Sequence, residues 1–214
     1  MNKMRGYTLI EMLVVMVILS IVMVIVTQFI SNQATILRKQ QLLTNTQQNL
    51  RAAGEAITRD LQMACLNPMG VVPGQPNSFE FKVTSPNAVE FTMDQNGNGI
   101  MNGADTTWTQ PRRDEYRGFY IQRSADTLHP DTLKRPRDAT HTTPAAEDVA
   151  VGIENLTFRY FNKNGIEVFN DTGGQIARVE FRIEARSAIP YRTRPRYYIT
   201  RVDSTSVMVR NRAF

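Results

Sequence analysis

A carboxylate set into an apolar stretch is the first residue of this chain whose type and place could do chemistry. Glu11 follows Arg5-Gly6-Tyr7-Thr8-Leu9-Ile10, and after it residues 12–26 contain one polar side chain, Ser20. A carboxylate at membrane depth costs roughly 2.5 kcal/mol or more, so such a residue usually has a partner or a task. The bland reading is that Glu11 snorkels to the headgroups from its place near the segment's end. The Gly6-Tyr7 junction is the second chemical feature. In a secretory signal the small-residue cleavage site follows the apolar segment, which is then discarded; here Gly6 precedes it, and a cut there leaves the apolar segment at the new N-terminus.

A third constellation has the spacing of a calcium loop. Asp94, Asn96, Asn98, Asn102 and Asp105 stand at positions 1, 3, 5, 9 and 12, with Gly99 at position 6 and the Ile100 carbonyl at position 7. Asp105 replaces the usual Glu, and only two carboxylates are present, so the expected affinity is weak, roughly 10⁻⁴ to 10⁻³ M. The same Asn- and Gly-rich composition also suits a metal-free turn after a strand. His129 and His141 have no partners at ligand spacing and read as loop residues. Three basic clusters, Arg112-Arg113, Lys134-Arg135-Arg137 and Arg192-Arg194-Arg196, could touch nucleic acid through phosphate charge. They are interleaved with proline and acidic residues, which favours a solvated surface. The sequence contains no phosphate-binding glycine loop and no nucleophile motif, so an enzyme is not expected.

The elements that position these residues follow from hydropathy. Residues 9–26 are long enough, with help from residues 27–30, to cross a bilayer as a helix. Lys3 and Arg5 precede the segment without an acidic residue, which places the leader in the cytoplasm and everything after residue 30 on the far side. Residues 31–66 lack proline and continue the helix. Ile36, Leu43, Leu50, Ile57 and Ala64 recur every seven residues, and Leu42, Ala53 and Leu61 widen the stripe. The opposite face carries Arg38, Lys39, Gln47, Arg51, Glu55 and Arg59. Gly54 interrupts the stripe for a reason that the sequence does not reveal. Pro68 and Gly70 end the helix just after Cys65, the one cysteine, which reads as a small buried residue.

Beyond residue 67 the period becomes that of strands. Residues 79–83 and 88–93 read as a hairpin, and residues 118–123, 153–161, 176–185, 197–202 and 206–210 complete a sheet of six to seven strands. Val179, Phe181 and Ile183 alternate with Arg178, Glu180, Arg182 and Glu184, as in a sheet with one face on a core. Asn162-Lys163-Asn164-Gly165 is a turn signal. Residues 124–148, rich in Pro, Thr, Asp and Arg, read as one long loop. Net charge is +5, and the length after the membrane helix suits one domain.

The run Gly6-Tyr7-Thr8-Leu9-Ile10-Glu11-Met12-Leu13-Val14-Val15 resembles the N-terminal segment of type IV prepilins and of the related pseudopilins of type II secretion. The resemblance implies that a membrane prepilin peptidase removes residues 1–6 after Gly6 and N-methylates Tyr7, where the usual aromatic is Phe. It further implies that Glu11 meets the α-amino group of a neighbouring subunit. The implied fold is the α+β pilin fold: a long N-terminal helix, its membrane half at 7–30 and amphipathic half at 31–66, packed against an antiparallel sheet at 67–214. Residues 152–160 and 207–211 are more loosely similar to PilW-type minor pilins. The resemblance thus points to a minor pilin that is anchored in the inner membrane with its N-terminus in the cytoplasm. It then joins other pilin subunits, through the assembly platform, in a priming or tip position of an extracellular filament. A minor pseudopilin shares every N-terminal feature. From a different class, a membrane-anchored DNA-binding protein or adhesin would use the basic clusters or the 124–148 loop.

Overall fold

The computed structural model describes residues 8–66, 81–94, 116–126, 129–136, 146–169, 175–190, 192–193 and 196–209. One helix, α1 (Leu9–Met63), opens the described chain, and ten strands follow. The chain divides into two compact units, Met1–Gln41 and Leu42–Phe214, so that α1 contributes to both.

The described residues of the first unit form a helix whose apolar side chains face outward: Leu13, Val17, Ile21 and Val24 are all half exposed or more. The hydroxyls of Ser20 and Thr27 turn back onto their own backbone. Ser20 donates to the Val17 carbonyl at 2.7 Å, and Thr27 donates to the Met23 and Val24 carbonyls at 2.9 Å. In lipid no water would satisfy those groups, so internal bonding is what makes them tolerable there.

In the second unit the remaining part of α1 buries Leu42, Thr46, Leu50, Ala53, Ile57 and Leu61, a stripe at spacings of three and four. The expected stripe therefore starts at Leu42, because Ile36 belongs to the first unit and is 50% exposed. Gly54 has room for a side chain: a Cβ there would come no closer than 3.8 Å to the Asp203 carboxylate. The helix ends at Met63, and Cys65 just beyond it is buried, adopts a left-handed φ of 58° and donates its N–H to the Thr92 carbonyl at 2.9 Å.

Two principal sheets cover the stripe rather than the single sheet expected. The first is an antiparallel meander of β1 (Phe81–Thr84), β2 (Ala88–Thr92), β3 (Tyr116–Gln122), β4 (Thr132–Arg135) and β5 (Glu147–Val151), in that spatial order. The β1–β2 hairpin is as expected. The long loop expected at 124–148 is not one loop, since β4 and the start of β5 lie within it. Leu133 and Ala150 are the buried residues that anchor this pair. Strands so short, with one core residue each, leave almost no period in the sequence. Gly118 in β3 is required by packing, because a Cβ would meet the Val89 carbonyl oxygen at 2.5 Å.

The second sheet has the order β10-β7-β6, formed by β6 (Ile153–Asn162), β7 (Ile176–Arg186) and β10 (Thr200–Met208). One continuous β10 replaces the two terminal strands expected, and a small ribbon, β8 (Arg192–Thr193) with β9 (Arg196–Tyr197), precedes it. Val179, Phe181 and Ile183 of β7 are buried, as their alternation requires. The opposite face is charged: Arg159 holds Glu167 through two bonds of 3.0 and 2.8 Å, and Phe161 lies beneath the guanidinium groups of Arg159 and Arg178. A long amphipathic helix with antiparallel sheets is the α+β architecture of a pilin-like fold.

Candidate functional site: the N-terminal cap of the apolar helix

Thr8 is the residue before the first helical position, and Glu11 is the third residue of the helix. The Thr8 backbone N–H donates to Glu11 Oε2 at 2.8 Å, and the Thr8 hydroxyl donates to the same oxygen at 3.0 Å. In return, the Glu11 N–H donates to Thr8 Oγ1 at 3.3 Å. This reciprocal arrangement is a capping box, in which two of the donors orphaned at a helix start are satisfied by side chains. A Ser or Thr cap of this kind stabilises a helix by about 1 kcal/mol. Thr-x-x-Glu before an apolar run is its sequence signature, which the reading of Glu11 as an isolated membrane carboxylate overlooked.

The box gives Glu11 a second chemical meaning. Its carboxylate is aimed at the N-terminal end of α1, where the helix dipole favours negative charge. Oε2 is engaged by Thr8, and Oε1 makes no hydrogen bond among the described residues. The arrangement can hold a carboxylate ready for a cation near the helix start while keeping it partly satisfied in an apolar environment. Gly6 and Tyr7, the residues of the expected cleavage and methylation, lie outside the described residues.

Residues 1–27 match the family model of the prokaryotic N-terminal methylation motif. No curated protein matches the chain. The motif supports a type IV pilin or pseudopilin, and it implies processing by prepilin peptidase and assembly with other pilins. Together with α1 it supports membrane anchoring and a pilus: the apolar window of that helix has a mean hydropathy of 3.1 and no buried residue. It also points to a structural rather than an enzymatic protein.

The other sequence-derived candidates fare differently. Of the calcium loop, Asp94 alone is described. It is buried and its N–H donates to the Leu66 carbonyl at 2.7 Å, so the backbone at the loop's start is tied to the end of the helix. Asn96, Asn98, Ile100, Asn102 and Asp105 lie outside the described residues. His129 is exposed and 3.3 Å from Asp126, and His141 is outside the described residues. Lys134 pairs with Asp148, and Arg135 lies 3.1 Å from Asp60 and 3.6 Å from Glu147. In its described members that basic cluster is thus paired with acids of the same chain. Arg112, Arg113, Arg137 and Arg194 are outside the described residues, as are the side chains of Arg192 and Arg196.

The Asp60–Arg135 pair escaped sequence reasoning. Asp60 lies among the buried residues of α1, and its pKa is raised because burial disfavours its charged form, although Arg135, Arg117 and Arg59 oppose the shift. A lone aspartate in a helical stripe gives no hint of a partner 75 residues away; only the packing of β4 supplies Arg135.

Proposed function

We propose that the chain is a minor pilin of a type IV pilus. In this reading prepilin peptidase removes residues 1–6 and methylates Tyr7, while α1 sits in the inner membrane with its start in the cytoplasm and the second unit in the periplasm. The assembly platform then draws the subunit out of the lipid, and the apolar part of α1 packs among those of other pilins in a priming or tip position. The carrying observation is the capped Glu11 at the start of an unburied apolar helix within the matched 1–27 motif. Methylated Tyr7 would present its amino group near the carboxylate of a neighbour's Glu11, and charge pairing there would set register.

Mass spectrometry of the mature N-terminus tests this reading: a chain that begins at N-methyl Tyr7 is expected, and an intact leader overturns it. The rival minor pseudopilin shares the same N-terminus. Deleting the chain's gene separates the two, since loss of pili supports the pilin reading and loss of secretion with normal pili supports the pseudopilin. A membrane-anchored receptor for DNA is tested by salt-dependent DNA binding of the detergent-solubilised chain; Lys134 and Arg135, already paired with acids, speak against it.

The reading includes weak calcium binding by residues 94–105, carried by ligand spacing. Millimolar calcium is then expected to raise the Tm of the second unit in the wild type but not in Asp105→Ala. Equal melting with and without calcium in the wild type removes it.

A further inference from the structure

The buried stripe of α1 and the inner face of the second sheet pack as two layers, and each layer has an outer side. On α1, Arg51, Glu55 and Arg59 stand four residues apart on the side away from Leu50, Ala53 and Ile57, and all three are exposed. Arg51 and Glu55 make no hydrogen bond or ion pair among the described residues, and Arg59 approaches Asp60 only at 3.8 Å.

On β7 the inner residues Val179, Phe181 and Ile183 are buried, so Arg178, Glu180, Arg182, Glu184 and Arg186 give the outer side an alternating charge. Part of this ladder is engaged within the chain: Glu180 lies 3.5 Å from Arg178 and 3.9 Å from Arg159, and Arg186 lies 3.4 Å from Glu154. Arg182 in the middle is exposed, and neither it nor Glu184 makes an ion pair among the described residues. The residues beside Arg182 in register are small, Thr157 of β6 and Ser204 of β10. They leave a trough of about 540 Å³ on the outer side, lined by Thr157, Arg159, Glu180, Arg182, Ser204 and Ser206.

The two charge patterns have nearly the same repeat, because four residues of helix advance about 6 Å and two residues of strand about 6.6 Å. Arg51-Glu55-Arg59 is thus the complement of Glu180-Arg182-Glu184, and a slip of one charge sets like against like. Each triplet reads the same in both directions, so the match holds whichever way β7 runs beneath the helix. We propose that the trough is an assembly surface, and that its occupant is the polar side of α1 of a second copy of this chain. Glu55 of one copy meets Arg182 of the next, while Arg51 and Arg59 meet Glu180 and Glu184. The two surfaces lie on opposite sides of the same two layers, so the contact is head-to-tail rather than two-fold. Helix on sheet then repeats without turning a copy over, and every α1 keeps one direction, as copies that share a membrane require. Charge here selects partner and register more than strength. The inference goes beyond the pilin reading and takes from it only the shared membrane.

The test uses the full chain in detergent micelles, with sedimentation equilibrium at low and at high salt. Wild type is expected to associate as its concentration rises, and more weakly where salt screens the pairs. Glu55→Arg and Arg182→Glu each bring like charges together and are each expected to weaken association roughly tenfold. An equimolar mixture of the two variants is expected to recover association, because each helix then finds a trough of opposite charge on the other variant. A monomer at every concentration overturns the proposal. So does association that is equal in wild type and both variants, which would place it in the apolar helix, and so does a mixture as weak as either variant alone. These outcomes read the two polar faces, whereas the pilin reading stands or falls on the N-terminus.

Discussion

The two parts of α1 share one backbone and opposite surroundings. Ile18 in the first unit is 56% exposed, whereas Ile57 in the second is fully buried. Within the first unit residues 12–26 are apolar all round but for Ser20, and a helix of that kind is stable only where something other than water surrounds it. The second confines its apolar residues to one stripe and gives the rest to Gln47, Arg51, Glu55 and Arg59, so the protein's own sheets supply its cover. Polar groups follow the same division. Ser20 and Thr27 are satisfied locally by their own helix, while Asp60 is met by Arg135 from a distant strand. Under the proposed function the first part exchanges lipid for other subunits and cannot depend on fixed partners, whereas a helix that forms the floor of a core can.

Substitutions that act on one part and spare the other would break or sharpen this contrast. The largest effect is expected from Ile57→Ala, which should lower the unfolding free energy of the second unit by about 2–5 kcal/mol. Ile18→Ala should leave it within about 0.5 kcal/mol. Denaturant melts of the full chain in detergent read both, and equal losses would erase the distinction. Next is Ile18→Asp, which places a charge in the middle of the apolar segment and should cost about 2.5–3.5 kcal/mol of membrane insertion. Fractionation of membranes reads that cost, with the melting of the second unit unchanged.

Asp60 gives a smaller effect whose sign is fixed by its surroundings. Burial raises its pKa above the unfolded value, so the folded state binds the proton more tightly. Its contribution is fully present in acid and is lost as pH rises through the raised pKa. Asp60→Asn should flatten that decline, and a pH series of melts that keeps the same slope in the variant would remove Asp60 as its source. The smallest effect is expected from Thr8→Ala, which removes the cap and should cost about 1 kcal/mol at the start of α1 without changing the melting of the second unit. Slower amide exchange in the first turn of the variant would contradict the role of the box.

Legibility followed the range of the interactions. The apolar segment, the Leu42 to Leu61 stripe and the alternation of β7 were readable because each is a periodic pattern within one element. The capping box was equally local and was missed only because Glu11 was weighed for its cost in lipid rather than for its spacing from Thr8. β4 and β5 were hidden in an apparently polar loop, since each contributes a single core residue and takes its identity from its neighbours in the sheet.

The amino-acid sequence by itself determined the long apolar helix, the Thr8–Glu11 cap and the α+β class, because local composition and short spacings dictate them. Tertiary structure alone decided that the strands divide into two principal sheets, that Arg135 answers Asp60, and that Asn49 covers the β5 edge of one of them. These depend on which distant segments meet, and no local pattern records that pairing.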